Sequence, residues 1–336
     1  MSIRRVFTAL SAFLVVSLAT AQESGLVVEG RVAFTEGPAW HPSGNVYFTD
    51  IENNRIMRRD PSGKVHVYRT PSGRANGLMF DGQGRLHACE GGREGGNRRV
   101  TRTELNGTVT VLTADYQGGA YNSPNDLAFD SKGRIYFTDP RYGDRGDMQI
   151  RDDQGKEIEG VYRIDADGKV MMVISHEVER PNGIAVSPGD EFLYVCDNMN
   201  DTPTGNRKLW QFRLREDGSV DLASRKQLFD WGNDRGPDGM VIGPDGLLYV
   251  TAGFNFPSLP NQTAGRYKAG VYVISPDGEL VRTIPVPVDM ITNCTFGGDD
   301  GRTLYITAGH KLWSIRIEVP KALRPRLERW HRKSQI

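Results

Sequence analysis

One phrase occurs six times along this chain of 336 residues, and it limits the folds that the chain can adopt. The first copy, residues 36–50, reads EGPAWHPSGNVYFTD: a polar residue opens a short apolar run, a glycine-containing turn follows, and a second apolar run ends in a carboxylate. Later copies begin at Asn76, Asn125, Asn182, Asp238 and Asn293, at intervals of 40, 49, 57, 56 and 55 residues. A period near 50 residues with several β-runs is typical of a β-propeller.

The second copy shows what one repeat contains. Four short runs rich in β-branched and other apolar residues cover 78–80, 86–89, 99–103 and 109–112, and glycine-containing turns separate such runs along the chain. No amphipathic helical stretch of ten residues stands out. We therefore predict an all-β fold, a six-bladed β-propeller with four-stranded blades.

The two ends of the repeat array predict how the ring closes. The sixth copy supplies only three strands, at 294–296, 303–307 and 311–317, before the sequence becomes basic and proline-punctuated. Residues 27–34 precede the first copy and have the composition of a strand. We expect this N-terminal strand to complete the last blade, because that pairing removes an open sheet edge. The propeller is predicted over 22–319 and a basic C-terminal tail over 320–336.

The first 21 residues form a separate segment. Arg4 and Arg5 precede an apolar run at 6–19, and the residues at 19–21 have the small-x-small form of a signal-peptidase site. The run is shorter than the roughly 20 residues that span a bilayer. We predict a signal peptide at 1–21, export to the periplasm or the medium, and no membrane span in the mature chain.

Charge and cysteine content narrow the classes of partner. Forty-two Lys and Arg residues balance 42 Asp and Glu residues, so no net field gathers nucleic acid or an anionic membrane. Three cysteines, an odd number in an exported chain, argue against a disulfide framework. We expect a small-molecule substrate, no nucleic-acid partner, and a monomer or weak dimer.

Loop lengths indicate which face of the propeller carries function. The turns inside the six phrases are short, whereas the connections after the second strand are long and dissimilar, beginning at Gly91, Pro140, Asn198 and Gly253. In an antiparallel blade the start of the first strand and the end of the second lie on one face. The long connections and the six opening side chains therefore share the face where loops vary with function.

The opening residues supply oxygen atoms to the central channel. Glu36 and Asp238 bring carboxylates, and the other four positions bring asparagine amides. Hard oxygen donors of this kind suit calcium, with magnesium, manganese or zinc as alternatives. The competing explanation is that Asn and Asp merely favour strand-entry turns. Six such residues in register favour the metal site.

A second group of polar residues surrounds this ring. Glu90 and Asp139 end second strands, Arg74 lies just ahead of Asn76, and Tyr142 lies in the loop after Asp139. Each is a candidate for binding a polyhydroxylated substrate. The alternative for the two carboxylates is a hydrogen bond within or between blades, and for Arg74 and Tyr142 it is packing at the channel rim.

The motifs EGPAW, SPNDLAFD, RPNGIAVS and GPDGMVIG, in this order, resemble the gluconolactonase/regucalcin (senescence marker protein) family over residues 28–317. DFPase-type phosphotriesterases have a similar architecture. The resemblance implies a six-bladed propeller that holds a divalent ion, usually calcium, in its channel. It implies Glu36, Asn182 and Asp238 as ligands, with Asn125 as a fourth ligand or a substrate contact, and Asp238 as the acid/base residue.

From these residues we predict a calcium-dependent hydrolase that opens a sugar lactone or a related cyclic ester. The alternatives are an organophosphate or ester hydrolase that uses the same metal site, and a non-catalytic propeller that binds a ligand. A carboxylate that binds a dication is weakened as a base. Glu90 or Asp139 is therefore an alternative to Asp238 as the general base.

Overall fold

The computed structural model describes residues 25–257 and 262–318, and within these ranges the chain forms β-strands and no helix. Six four-stranded sheets and one two-stranded hairpin account for the strands. None of the residues described forms a helix that could cross a membrane. The predicted signal peptide at 1–21 and the basic tail at 320–336 lie outside the described residues.

The strands follow the predicted blade order. Strand β1 (Val27–Arg31) precedes blade one, which contains β2 (Thr35–Trp40), β3 (Val46–Asp50), β4 (Arg55–Arg59) and β5 (Val65–Arg69); blade two contains β6 (Ala75–Phe80), β7 (Leu86–Glu90), β8 (Arg99–Thr103) and β9 (Val109–Thr113). A hairpin of β10 (Asp115–Tyr116) and β11 (Gly119–Ala120) leads to blade three, with β12 (Leu127–Phe129), β13 (Ile135–Asp139), β14 (Gly160–Ile164) and β15 (Val170–Ile174).

The second half of the ring repeats this arrangement. Blade four contains β16 (Pro181–Val186), β17 (Phe192–Asn198), β18 (Arg207–Leu214) and β19 (Val220–Asp230); blade five contains β20 (Met240–Ile242), β21 (Leu248–Ala252), β22 (Gly270–Ile274) and β23 (Leu280–Pro285). Blade six contains β24 (Ile291–Gly297), β25 (Thr303–Ala308) and β26 (Lys311–Arg316). Each of the six sheets has four antiparallel strands, with β1 as the fourth strand of blade six, so the prediction of six four-stranded blades is confirmed.

The predicted closure is also confirmed. Strand β1 pairs antiparallel with β26, with Val27 opposite Ser314 and Arg31 opposite Lys311. Glu29 in β1 adds two side-chain contacts: it accepts hydrogen bonds from Arg59 Nε and from Ser314 Oγ, each at 2.6 Å. The N-terminal strand therefore joins blade six to blade one, and the outer edge of blade six is paired rather than open.

The hydrophobic core lies between neighbouring blades. At the seam between blades six and one, Val46 and Phe48 of β3 pack with Tyr305 and Leu312 of blade six. All five residues of β3 are buried, and so are those of β7, β13 and β21. A second strand is covered on both faces by adjacent blades, which explains why VYF at 46–48 and IYF at 135–137 show no alternation of apolar and polar residues.

Backbone contacts between the innermost strands fix the channel. The amide of Gly183 donates to the carbonyl of Asp238 at 2.8 Å, and the amide of Gly77 donates to that of Asn125 at 2.6 Å. A Cβ atom added to Gly183 would lie 2.5 Å from the Asp238 carbonyl oxygen, so only glycine permits this approach. Backbone groups thus hold the ring together, which leaves the side chains of the opening residues to line the channel.

Candidate active site

A cavity of about 340 Å³ opens where the innermost strands begin, on the face that carries the long connections. Its lining includes all four predicted metal ligands, namely Glu36, Asn125, Asn182 and Asp238, and also Asn76, Arg74 and Tyr142. These residues come from blades one to five. The repeat register explains the convergence, because each blade contributes the residue that enters its first strand.

Glu36 and Asp238 form a pair of buried carboxylates. Glu36 is 4% exposed and Asp238 is 6% exposed. Burial, together with the negative charge of Asp238, raises the pKa of Glu36 well above its ordinary value, although the Gly37 amide donates to Glu36 Oε2 at 2.8 Å. Two buried carboxylates that repel one another are relieved by a cation placed between them.

Asp238 already has one cationic partner, Arg235. The guanidinium donates through Nη2 to Asp238 Oδ2 and through Nη1 to the carbonyl of Ile291 at 2.9 Å. It also lies over the ring of Phe254, with the guanidinium carbon 5.2 Å from the ring centroid. Burial raises the pKa of Asp238, and the hydrogen bonds from Arg235 and Asn182 oppose that rise. The sequence interpretation missed Arg235, although it stands only three residues before Asp238 of the PDG motif.

Asn182 is oriented by a chain of hydrogen bonds. Its Nδ2 donates to the hydroxyl of Tyr142 at 2.6 Å, and this hydroxyl donates to Asn198 Oδ1 at 3.2 Å. The amide of Asn200 supports Asn198 by donating to the same oxygen at 2.7 Å. Because the Asn182 nitrogen serves as donor to both Tyr142 and Asp238, its carbonyl oxygen is the atom that can offer lone pairs to a cation.

Asn76 carries a buried oxygen that lacks a partner. Its Oδ1 is enclosed and accepts no hydrogen bond in the structure. Such an atom costs about 1–3 kcal/mol unless a ligand satisfies it. Across the described ranges no group of three or more His, Cys, Asp or Glu could hold an ion by itself. A metal site here therefore depends on asparagine oxygens beside Glu36 and Asp238, and this donor set fits calcium.

A third channel carboxylate, Asp126, was not singled out from the sequence. It accepts hydrogen bonds from the Leu127 amide at 2.9 Å and from Asn293 Nδ2 at 3.2 Å, and burial raises its pKa to about 7. Its charge contributes to the raised pKa of Glu36. The signal was present in the PND motif, where Asp126 follows Asn125.

The structure does not bring Glu90 into the pocket. Its carboxylate accepts hydrogen bonds from Arg69 Nη2 at 2.8 Å, Arg99 Nε at 2.7 Å and Thr101 Oγ1 at 2.9 Å. Glu90 is 1% exposed and is absent from the cavity lining. These bonds join Glu90 to strands of blades one and two. This placement matches the alternative considered from the sequence, namely hydrogen bonding within or between blades.

Asp139 is also directed away from the pocket. It accepts the amides of Asn122 at 2.8 Å and Ser123 at 2.7 Å, just ahead of its own blade's first strand, and burial raises its pKa to about 7. Asp50 and Asp197 make the same contact in blades one and four, with the amides of Ala33 and Phe34 and of Glu179 and Arg180. Carboxylates at the end of the second strand therefore cap the segment that enters the first strand.

Charged and polar side chains form the rim over blades two to four. Arg74 donates to Glu52 Oε2 at 3.2 Å, and Arg93 donates to the other oxygen of that carboxylate at 3.0 Å. Arg141 is buried and pairs with Asp147 at 2.5 Å. Arg74 and Tyr142 both line the pocket, and their role in substrate binding stays a prediction.

Comparison with protein families decides the relationship. The SMP-30/Gluconolactonase/LRE-like region matches residues 34–310. The chain belongs to this family. A gluconolactonase from Zymomonas mobilis is 30% identical over 314 residues, covering 87% of this chain and 81% of that protein.

Two solved structures place this SMP-30/gluconolactonase-family chain among known propellers. A gluconolactonase from Xanthomonas campestris aligns with a TM-score of 0.70 and 28% identity, covering 87% of this chain and 89% of that one. The calcium-binding protein regucalcin from Agrobacterium tumefaciens shares the fold, with a TM-score of 0.65, 18% identity, and coverage of 87% and 92%. The family resemblance is confirmed, and relatives named as lactonases are carboxylic ester hydrolases.

Proposed function

We propose that this SMP-30/gluconolactonase-family chain is a calcium-dependent hydrolase that opens a sugar lactone or a related cyclic ester. One observation carries the proposal: Glu36, Asn125, Asn182 and Asp238 line a single pocket in a chain whose relative is a gluconolactonase. The pocket volume of about 340 Å³ is within the range of small-molecule sites, which starts at about 300 Å³.

The residues that would hold the ion are Glu36, Asn182 and Asp238, with Asn125 as the fourth ligand or as a contact to substrate. When bound, a calcium ion would supply Lewis-acid polarisation of the lactone carbonyl. The two carboxylates would supply anionic oxygens to the dication, although Asp238 shares its charge with Arg235, and the amide oxygens would complete a hard donor set. The buried, unpartnered Oδ1 of Asn76 is a further oxygen available for a water or a substrate hydroxyl.

Asp238 is the acid/base residue of the proposal. One of its oxygens is fixed by Arg235, so its carboxylate keeps one orientation at the pocket wall. Asp238 accepts the proton of a water whose oxygen adds to the lactone carbonyl carbon. It then returns the proton to the ring oxygen as the ring C–O bond breaks, so that lactone and water give one hydroxy acid. Glu90 and Asp139 are left out of this step because neither lines the pocket.

Residues at the rim of the pocket would position the substrate. Arg74 and Tyr142 line the pocket and carry hydrogen-bonding groups suited to hydroxyls. Burial and the charge of Asp238 raise the pKa of Tyr142, so its hydroxyl stays protonated; the proton is donated to Asn198, and the remaining lone pair can accept from a substrate hydroxyl. A polyhydroxylated lactone ring would be oriented by these groups while its carbonyl faces the carboxylates.

The test uses chelator-stripped protein assayed with D-glucono-1,5-lactone, with and without added calcium. We expect turnover only with calcium, and Glu36→Gln and Asp238→Asn to abolish both turnover and calcium binding measured by calorimetry. Asp300→Asn is the matched control, because Asp300 pairs with Arg316 at the surface. Absence of lactone turnover in both states would contradict the proposal. Turnover of phosphotriesters alone would favour an organophosphate hydrolase, and ligand binding unchanged by both pocket variants would favour a binding module.

We also propose export of the mature chain, on the basis of the sequence at 1–21. Fractionation of the producing cells should then find the protein in the periplasm or the medium, with Gln22 as its first residue. Recovery of uncleaved protein in the cytoplasm would contradict this.

A further inference from the structure

Apolar side chains are unevenly distributed around the active-site cavity. Over blades two to four the lining is polar and includes Arg74, Arg141 and Asn198. Over the three neighbouring blades five, six and one the lining contains the carboxylates Glu36 and Asp238 and other polar groups, and also an apolar set, namely Phe254, Met290, Phe34 and Ile51. These apolar residues come from consecutive blades, and we refer to them as the apolar arc.

Fixed backbone contacts hold the blade-one part of this arc. The Ile51 amide donates to the carbonyl of Phe34 at 3.2 Å, and the Phe34 amide donates to Asp50 Oδ1 at 3.2 Å. Asp50 is fully buried and also accepts Arg55 Nη2 at 2.5 Å. Phe34 and Ile51, both partly exposed, are therefore fixed side by side at the pocket wall.

Met290 provides a second, independent observation. Its backbone has φ of 57°, a left-handed conformation that bulky non-glycine residues rarely adopt. The Gly309 amide donates to its carbonyl at 2.8 Å, and its side chain remains 39% exposed at the cavity. Residues held in such conformations cluster at ligand sites. A methionine side chain is flexible and polarisable, which suits contact with apolar groups of varied shape.

Contact between sugar hydroxyls and this apolar arc would contribute little to binding. Hydroxyl groups placed against it would lose hydrogen bonds to water without finding new partners. An alkyl or aryl group would instead be removed from water, and full burial of each methylene strengthens binding by about fourfold. The lining should therefore bind a ligand with its apolar end against the apolar arc and its polar end toward blades two to four.

We propose that the substrate is an amphipathic lactone, with a polar edge toward Arg74 and Asn198 and an apolar alkyl or aryl substituent against Phe34, Ile51 and Met290. This inference rests on the proposed lactonase function and specifies its substrate class. Phe254 is excluded from the substituent-binding set because it already packs on the guanidinium of Arg235.

The experiment compares γ-valerolactone with γ-nonalactone, which differ only in having a methyl or a pentyl substituent, using calcium-loaded full-length protein. We expect kcat/KM to be about tenfold higher for the pentyl compound, because part of the added chain is buried. Met290→Gln and Ile51→Asn should each reduce this preference to about twofold. Met171→Gln is the matched control, because Met171 is 38% exposed on β15 and lies outside the cavity.

The outcomes separate this inference from the proposed function. Turnover of D-glucono-1,5-lactone with equal kcat/KM for the two alkyl lactones would overturn the inference alone. If no lactone is turned over, the proposed function fails, and the inference is decided by binding of 4-hydroxyvalerate and 4-hydroxynonanoate measured by calorimetry. Tighter binding of the nonanoate, lost in Met290→Gln, supports the apolar substituent site; equal binding rejects it.

Discussion

The guanidinium of Arg235 donates a hydrogen bond to Oδ2 of Asp238, and both side chains are buried, at 4% and 6% exposure. The same carboxylate is the proposed metal ligand and acid/base residue. Arg235 therefore partly neutralises the Glu36–Asp238 pair before any ion arrives.

Replacing Arg235 by glutamine should make stability depend on calcium. Breaking a buried ion pair by removing one partner costs about 3–5 kcal/mol, since the remaining charge is uncompensated. We expect Arg235→Gln to lose about 3 kcal/mol of unfolding free energy in chelator and most of that loss to disappear in excess calcium, as measured by urea unfolding. Arg316→Gln is the control, because the exposed Arg316–Asp300 pair should be worth less than about 1 kcal/mol. An equal loss with and without calcium would contradict this account.

Removing the Tyr142 hydroxyl should disorder the orientation of Asn182. The hydroxyl accepts from Asn182 and donates to Asn198, so Tyr142→Phe leaves two amides without this partner. We expect kcat/KM for the lactone to fall about tenfold, equivalent to about 1.4 kcal/mol, and calcium affinity to weaken. Tyr162→Phe is a matched control, since the buried Tyr162 hydroxyl has no hydrogen-bond partner in the described structure. Equal effects of the two substitutions would rule out the orienting role.

In the metal-free protein, the buried carboxylates of the blades should make the stability of the fold decrease as the pH rises. Burial raises the pKa of Asp139 to about 7 and that of Asp197 to about 6, against an ordinary value of 3.8. Between pH 3.8 and these values the folded state holds more protons than the unfolded state, so their contribution is present below pH 3.8 and is lost as pH rises through 6 and 7. Urea unfolding in chelator should show less stability at pH 7.5 than at pH 5, and Asp197→Asn should flatten that slope. A rise over this interval would contradict the prediction.

Blades four and five approach each other so closely at Gly183 that a residue larger than glycine should not fit there. A methyl group there would lie 2.5 Å from the Asp238 carbonyl oxygen and 2.8 Å from Gly239 Cα. We expect Gly183→Ala to destabilise the chain by about 2 kcal/mol or more and to weaken calcium binding, because the backbone of Asp238 must shift. Gly146→Ala should stay within about 0.5 kcal/mol of the parent, since its nearest neighbour would be 3.4 Å away. Thermal unfolding with and without calcium measures both effects.

The repeat register made much of this fold and site predictable. A strand pattern that returns near every 50 residues specifies blades, and the residue that opens each copy must enter the channel. Glu36, Asn125, Asn182 and Asp238 consequently meet in one pocket, as the sequence predicted. The N-terminal strand was also predictable, because the last copy lacked one strand.

Contacts between distant segments were not predictable in this way. Asp126 and Asn293 are 167 positions apart and meet only because the ring closes. The position of Glu90 at a strand end placed it near the functional face, but the pattern could not show that Arg69 and Arg99 draw its carboxylate into the blades. Periodicity gives the depth of a residue along the channel, whereas partners on other strands and loops decide where its side chain points.

The pairing of β1 with β26, which closes the ring within blade six, determines how the protein should respond to mechanical force. Val27 lies opposite Ser314, so the start of β1 and the end of β26 are adjacent in antiparallel strands. Tension applied through the two chain ends would separate these strands one hydrogen bond at a time, in an unzipping geometry, instead of shearing all the bonds together. The ring would then open first between β1 and β26, at low force, while the sheets of the other five blades remain intact.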